Sequence, residues 1–466
     1  MRDRLASLER ANEAATKRRQ RKKKRIQKRG VLTKGAGEDL LAQREADQQI
    51  AHEERQRGER LGDFPGNVPG FEPFAFIDRP DEMVQNMIKK HLTKLLNTVT
   101  EPLAEEATFA VDHVLGSSSD WKTMSLAKMT SSIVARMSSR VFLGEEICRN
   151  EDWLAITTQY TDNAFMAAME MQIIPVFIKP LLSYFFPKSK LVCNQMRRAR
   201  EIIAPVLAKR RAIKEQARIN NEPMPHFNDA LEWAEAEFRG QPYDPASVQL
   251  ILSFAAIHTT TDLACEVMLR LANEPSQITA LREEMIDVLS KEGWKKTALY
   301  NLKLLDSAVK EAQRLRPSET LQLRRIVMED VALEGHLKIR KGERVQVDMT
   351  PMWDPSVHSN PETYDMYRFL RMREHPESAH KAQLVSTSPD FLPFGHGKYS
   401  CPGRFFASNE IKLALCHLLL KYDWKLAPGT STQPFVSGQF MTVDPKAQLQ
   451  YRRRREEINL EALTSL

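Results

Sequence analysis

A single cysteine, Cys401, lies in a turn-rich stretch that reads FLPFGHGKYSCPGR over residues 391–404, and an apolar helical pattern follows it. Gly397 and Gly403 flank the cysteine, and glycines let a backbone turn tightly and approach a side chain closely. Backbone amides around Ser400 to Gly403 are then able to donate to the sulfur and hold its charge. This pattern predicts a thiolate fixed under a planar metal macrocycle. The alternative is a buried cysteine at a helix N-terminus, because short motifs also arise by chance.

The stretch resembles the haem-binding signature of the cytochrome P450 family. Phe394, Gly397, Cys401 and Gly403 fit that signature in register, whereas Tyr399 stands where the family has a basic residue that touches a haem propionate. The resemblance implies that Cys401 is the proximal thiolate ligand of haem b iron, a ligand type that favours O–O cleavage.

A tyrosine hydroxyl donates a hydrogen bond but carries no charge, so the propionates need a cation from elsewhere. Arg324 and Arg325 lie in a β-like run at residues 321–327. Arginine suits propionates because it forms two charge-assisted hydrogen bonds to one carboxylate. Under the resemblance, Arg324 or Arg325 is therefore the main propionate partner, and Tyr399 is the second candidate.

A second motif is the pair Glu311 and Arg314, three residues apart on a predicted helix that Pro317 ends. Taken alone, such a pair is most often a solvated surface ion pair of little energetic weight. The P450 resemblance implies a buried network instead, completed by the later Arg368. In that reading the three residues hold the segment before the cysteine loop and do no chemistry.

A third motif is a run of hydroxyls inside an apolar helix predicted for residues 245–273. Buried polar groups need partners, and such violations of the local pattern tend to mark function. The resemblance places Ala256 at an oxygen groove and Thr259 as the proton-delivering hydroxyl, with His258 and Asp262 as candidate relays. Fungal enzymes of the ent-kaurene oxidase and indole-diterpene oxidase type often show this His-Thr-Thr-Thr variant. Two alternatives stay open: threonines that bond back to their own helix, and a histidine that only packs.

The remaining pattern predicts a mainly helical protein with minor β structure, and the resemblance implies the P450 fold over about residues 73–455. We expect part of the N-terminal sheet of that fold, which caps the substrate entrance, to be missing. Five scattered cysteines favour reduced thiols over a disulfide framework. An apolar but proline-broken stretch at residues 173–186 is too short to span a bilayer and is interpreted as a lid that also dips into a membrane surface.

The N-terminal segment has a different character. Residues 17–29 read KRRQRKKKRIQKR and carry ten positive charges, without which the formal net charge of +7 becomes −3. Such blocks are usually disordered, and they also bind nucleic acid or anionic surfaces nonspecifically. The segment is similar to the tail of fungal pogo-type transposases. We therefore divide the chain into a basic, non-P450 segment at 1–62 and an N-terminally truncated haem domain at 63–466.

The combined reading is a haem-thiolate monooxygenase that inserts one oxygen atom of O2 into an apolar, terpenoid-like substrate. Electrons would come from NADPH through a separate flavoprotein, NADPH-cytochrome P450 reductase, because no glycine-rich dinucleotide loop is present. The family expectation is a monomer on the cytosolic face of the endoplasmic reticulum. With no anchor sequence here, the expectation becomes a cytoplasmic or peripherally membrane-associated protein. Two alternatives are a haem binder without turnover and a nucleic-acid-binding fusion through residues 17–29.

Deleting residues 1–62 should leave haem content and the thermal midpoint unchanged, because this segment has too few apolar residues to offset its ordering entropy. Binding of the full chain to DNA or anionic vesicles should be weak and should disappear in the deletion. Because at most ten cations can neutralise phosphates, the slope of log K against log salt should not exceed about nine in magnitude. A substantial drop in haem occupancy or in the melting temperature would contradict this division of the chain.

Overall fold

The computed structural model describes residues 66–465 apart from residues 67, 77–78, 80, 172–173, 175–177 and 333–337. Helices account for most of these residues. The α-helices are α1 (Met83–Met87), α2 (Leu96–Leu115), α3 (Leu126–Leu143), α4 (Glu151–Glu170), α5 (Lys179–Leu182), α6 (Pro187–Asn220), α7 (Ala230–Phe238), α8 (Pro245–Asn273), α9 (Pro275–Glu292), α10 (Lys296–Asn301), α11 (Lys303–Leu315), α12 (Arg368–Met372) and α13 (Arg404–Lys421). The basic segment at 1–62 lies outside the described residues.

The strands are short and antiparallel. They are β1 (Lys122–Ser125), β2 (Leu321–Ile326), β3 (Val331–Ala332), β4 (Lys338–Ile339), β5 (Arg344–Asp348), β6 (Tyr422–Leu426), β7 (Phe435–Ser437), β8 (Phe440–Thr442) and β9 (Gln448–Arg453). One sheet has the order β1-β9-β6, and the pairs β2-β5, β3-β4 and β7-β8 form two-stranded ribbons. The predicted class, mainly α with minor β, is confirmed. The expected loss of an N-terminal sheet stays a prediction.

The central element is α8, which packs against α3, α4 and α11. Its start follows from the sequence, because Asp244 accepts a hydrogen bond from the Ala246 N–H at 3.1 Å and Pro245 occupies the first turn. Among the described residues, α8 is the one helix long and apolar enough to cross a membrane, and 67% of its most apolar window is buried. Such burial is typical of a core helix.

Helix α11 positions the chain that precedes the cysteine stretch. The buried ammonium of Lys310 donates to the carbonyls of Lys381, Gln383 and Ser386 at 2.8, 2.7 and 3.1 Å. The carboxylate of Asp306 accepts from the Leu384 N–H at 2.9 Å. The segment at residues 381–386 is thus bonded to α11 through its backbone.

Helix α13 follows the cysteine stretch and is buried along most of its length. Its fully buried His417 contacts the Leu413 carbonyl through Nδ1 and the Thr108 hydroxyl through Nε2, both at 2.8 Å. The carbonyl can only accept, so Nδ1 is the protonated nitrogen and Nε2 accepts from Thr108. Burial lowers the pKa of His417 to about 4.

His417 makes the stability of the fold depend on pH. The unfolded chain protonates this histidine near pH 6.5 and the folded chain only near pH 4, so stability is lost as pH falls through that window. The loss should be on the order of 3 kcal/mol. His417→Gln should flatten the fall of the unfolding free energy between pH 6.5 and 4, measured by urea denaturation. Thr108→Val removes the donor to the neutral ring, so it should lower stability above pH 6.5 and flatten part of the same fall. An unchanged slope in His417→Gln would refute the assignment.

Candidate active site

The loop that carries Cys401 is closed by its own backbone. The N–H of Cys401 donates to the Phe394 carbonyl at 2.7 Å, and the N–H of Gly395 donates to the Leu392 carbonyl at 2.7 Å. Gly395 and Gly397 have φ values of 65° and 69°, in the left-handed region that favours glycine. These two glycines therefore make the tight turn, and the sequence analysis had missed Gly395.

Gly403 has another role than the one expected from its type. Its φ is −87°, which any residue adopts, so it is not needed for a special backbone conformation. A Cβ at this position would lie 4.0 Å from the Cys401 sulfur, an ordinary van der Waals distance. What Gly403 contributes is its backbone N–H, which donates to the thiol, and nothing among the described residues requires a glycine for that.

The thiol of Cys401 lies beside the N-terminus of α13. Burial raises its pKa, while N–H donors from Gly403 and Arg404 and the charge of Arg404 lower it. The guanidinium of Arg404 is fixed by the carbonyls of Val385 and Cys401 at 3.1 and 2.9 Å. Of the two donors, Gly403 lies in the expected stretch from Ser400 to Gly403, and Arg404 lies one residue beyond it. These donors stabilise the thiolate relative to the thiol, so they favour loss of the proton when a metal cation binds the sulfur.

The predicted hydroxyl-bearing stretch of α8 includes the exposed part of a helix that is otherwise mostly buried. Ala255 and Thr259, one turn apart, are exposed to solvent, while Ala256 is half-buried against the core. The Thr259 hydroxyl donates to the Ala255 carbonyl at 2.9 Å. Ala255 and Thr259 therefore form the open surface of this stretch, and the back-bonding alternative describes the Thr259 hydroxyl in this structure. The placement of Ala256 at an oxygen groove stays a prediction.

His258 and Asp262, on the same stretch of α8, differ in their partners. Within the described part of the chain, the buried Nε2 of His258 has no hydrogen-bond partner. Burial lowers the pKa of His258, and the charge of Asp162 opposes that shift. Asp262 accepts from Arg316 at 2.7 Å and from the Val443 N–H at 3.0 Å. Asp262 thus joins α8 to neighbouring segments, and we assign it no part in proton delivery.

The structure brings Glu311, Arg314 and Arg368 together. Arg314 donates to both carboxylate oxygens of Glu311 at 2.8 and 2.9 Å, and Arg368 Nε lies 3.0 Å from the same carboxylate. The side chains of Glu311 and Arg314 are both 0% exposed. The backbone of Asp365 adds a further donor at 3.2 Å. A buried charge needs this many partners.

The candidate propionate partners point in different directions. Arg324 donates to Glu319 at 2.9 Å. The guanidinium carbon of Arg325 lies 5.0 Å from the centre of the Tyr399 ring. The hydroxyl of Tyr399 accepts from Lys398 at 3.0 Å. Of the three candidates, Arg325 and Tyr399 are therefore in contact with each other, next to the Cys401 loop.

Comparison with known proteins decides the family. The sequence model described as Cytochrome P450 matches residues 81–451. The chain belongs to the cytochrome P450 family. It is 40% identical over 431 residues to cytochrome P450 monooxygenase adrA of Penicillium rubens, covering 92% of this chain and 84% of the relative. It is 44% identical over 393 residues to monooxygenase hepE of Aspergillus oryzae, with 84% and 72% covered.

A solved structure shows the same fold. The retinoic acid bound cyanobacterial CYP120A1 superimposes with a TM-score of 0.58 at 19% identity, covering 79% of this chain and 78% of that one. This P450 is therefore a haem-thiolate monooxygenase of the kind found in fungal secondary metabolism, an oxidoreductase that takes a hydrophobic substrate and electrons from a redox partner. Haem with a cysteine thiolate ligand is the cofactor of the family.

The residues at the site fit haem. The thiol of Cys401 is partly exposed and has two N–H donors and a guanidinium beside it, which suits a thiolate ligand. The open surface of α8 is made of the small residues Ala255 and Thr259, which leaves room for a flat ligand. The guanidinium of Arg325 lies beside the Tyr399 ring of the cysteine loop, and an arginine suits a propionate.

Removing the Glu311 carboxylate should release haem. Glu311→Ala leaves two guanidiniums adjacent without an anion, which costs about 3–5 kcal/mol in a buried network. We expect a lower denaturation midpoint and little bound haem per polypeptide by the pyridine haemochromogen assay. Glu215→Ala is the matched control, because Glu215 pairs with Arg218 at the same spacing but on the surface. That variant should change stability by less than about 1 kcal/mol; equal haem loss in both would contradict the role of burial.

Proposed function

We propose that Cys401 is the proximal haem ligand of this P450. The observation that carries the proposal is the set of donors around its sulfur, the N–H groups of Gly403 and Arg404 and the Arg404 charge. Phe394 and Gly397 shape the loop, because Phe394 supplies the carbonyl that accepts from Cys401 and Gly397 takes the left-handed turn. Haem held by this thiolate would supply the activation of O2.

We propose that Thr259 moves protons on the opposite, distal side. Thr259 is exposed, and its hydroxyl donates to the helix carbonyls of Ala255 at 2.9 Å and Ala256 at 3.5 Å. A rotation about χ1 lets it donate outward instead. His258 is the adjacent relay, because its buried Nε2 is available to exchange a proton and its pKa is held low by burial.

We propose an apolar, terpenoid-like substrate. Beside Ala255 and Thr259, the ring of Phe254 packs edge-on against Phe74 at 5.0 Å and stacks with Phe165 at 6.2 Å. These rings form a rigid apolar wall with few polar atoms. The hairpin of β7 and β8 bonds to the chain before β2, where the Thr320 N–H donates to Gln439 at 2.9 Å, so residues 436–442 are a second wall.

We propose that Glu311, Arg314 and Arg368 hold the segment before the cysteine loop and take no part in chemistry. Electrons would reach the haem from NADPH-cytochrome P450 reductase. We further propose that the chain works as a monomer at a membrane surface. Large apolar side chains are exposed together around α5, with Leu181 at 70% and Phe185 at 74%. Residues 17–29 would add weak, salt-dependent binding to nucleic acid or anionic lipid.

A haem binder without turnover is the competing function, and spectra separate it from the enzyme. Cys401→Ser should abolish the red-shifted Soret band of the reduced CO complex, whereas Cys416→Ala should keep it, because Cys416 is fully buried on α13. Thr259→Ala should keep haem and that band but release peroxide in place of product. A normal thiolate CO spectrum in Cys401→Ser would disprove the ligand assignment. A thiolate band with no substrate turnover and no peroxide in the wild type would favour the inactive haem binder.

A further inference from the structure

Strand β2 packs directly against the loop that carries Cys401. A Cβ built on Gly395 would lie 3.7 Å from Leu323 Cδ2 on β2. Leu323 has φ 54°, an uncommon left-handed conformation for a bulky residue. The register of β2 against β5 shifts between Gln322 and Arg325, which marks a β-bulge at this point. Bulges redirect side chains and occur beside active sites.

The two neighbouring arginines of β2 contact different groups. Arg324 turns to Glu319, with Nη2 at 2.9 Å from the carboxylate. Arg325 turns to the cysteine loop, with its guanidinium carbon 5.0 Å from the Tyr399 ring centre. Adjacent side chains of a strand point to opposite faces, which accounts for the divergence of the two arginines. Between the paired positions Gln322 and Arg325, β2 has one residue more than β5, so the bulge exchanges the faces of the residues that follow it, and Arg325 is the arginine that contacts Tyr399.

Two cations lie close to the exposed ring of Tyr399. The ammonium of Lys398 lies 4.9 Å from the ring centre and donates to the hydroxyl at 3.0 Å. Lys398 also lies 3.7 Å from Glu82, at the start of α1. The face of an aromatic ring attracts a guanidinium and fixes its plane. Tyr399 therefore acts on Arg325 through its ring, a role that an arginine at position 399 would not have.

We propose that Tyr399 is a positioning residue that holds the Arg325 guanidinium for a haem propionate, so that the charge absent from position 399 is supplied from β2. The inference rests on the proposed function, because it needs haem bound at Cys401. Haem has two carboxylates on one edge, and a guanidinium of fixed plane binds one of them through two parallel hydrogen bonds. Arg325 is thus the propionate partner, and Arg324 is not.

The test is haem retention by the full-length holoprotein. Haem transfer to excess apomyoglobin, followed by absorbance, gives the rate of haem loss. Arg325→Gln should accelerate the loss by roughly tenfold or more, since a charge-assisted bidentate contact is lost. Tyr399→Leu fills the space without an aromatic face and should accelerate the loss by roughly threefold to tenfold. Tyr399→Phe should match the wild type, and Arg324→Gln should change the rate by less than about twofold.

Relocating the charge gives the decisive comparison. In the Arg325→Gln background, Tyr399→Arg places a guanidinium on the loop itself and should restore most of the lost retention. A variant that loses packing alone would not be rescued in this way. Faster loss in Arg324→Gln than in Arg325→Gln, or equal losses in Tyr399→Phe and Tyr399→Leu, would overturn the proposal. The wild-type CO spectrum is recorded in parallel: absence of a thiolate band there means that the proposed ligation is wrong, whatever the variants do.

Discussion

The rest of the site depends on one carboxylate that has no contact with water. Glu311 lies between Arg314 and Arg368, and this second arginine bonds to backbone carbonyls at residues 359, 360 and 363. The same helix binds residues 381–386 through Lys310. The segment that leads into the cysteine loop is therefore fixed at both ends to α11. The loop needs this support, because its own hydrogen bonds are few and local.

Contacts with the surrounding scaffold, including strand β2, orient the cysteine loop. Backbone N–H groups of Gly403 and Arg404 donate to the sulfur. From strand β2, Leu323 lies next to Gly395 of the loop, and Arg325 lies over the ring of Tyr399. The left-handed glycines permit the turn but do not select its orientation. Orientation comes from neighbours distant in sequence, which is why the loop motif and the β2 arginines have to be considered together. A P450 whose loop departs from the family pattern at one position can thus compensate through another segment.

Much of this could be predicted from the sequence, and the limits have physical causes. The class, the bounds of α8 and the cysteine loop follow from local patterns: apolar periodicity, an Asp-Pro start and glycine spacing. The pair Glu311 and Arg314 has the same spacing as the exposed pair Glu215 and Arg218, so spacing alone could not show which pair is buried. Burial depends on the whole fold. The contact of Arg325 with Tyr399 depends on a bulge that no local pattern signals. Gly395, by contrast, stood in the motif and was overlooked.

The Glu311 cluster also sets an order of assembly. Glu311 and Arg314 are one helical turn apart and pair as soon as α11 forms, but Arg368 lies 57 residues beyond Glu311. A ribosome synthesises these residues in sequence, so the carboxylate stays hydrated until the later segment emerges and docks. Only then can the cluster lose its water. The loop of Cys401 comes still later in the sequence, so the helix that carries the ion pair is synthesised before the cofactor-binding loop that depends on it.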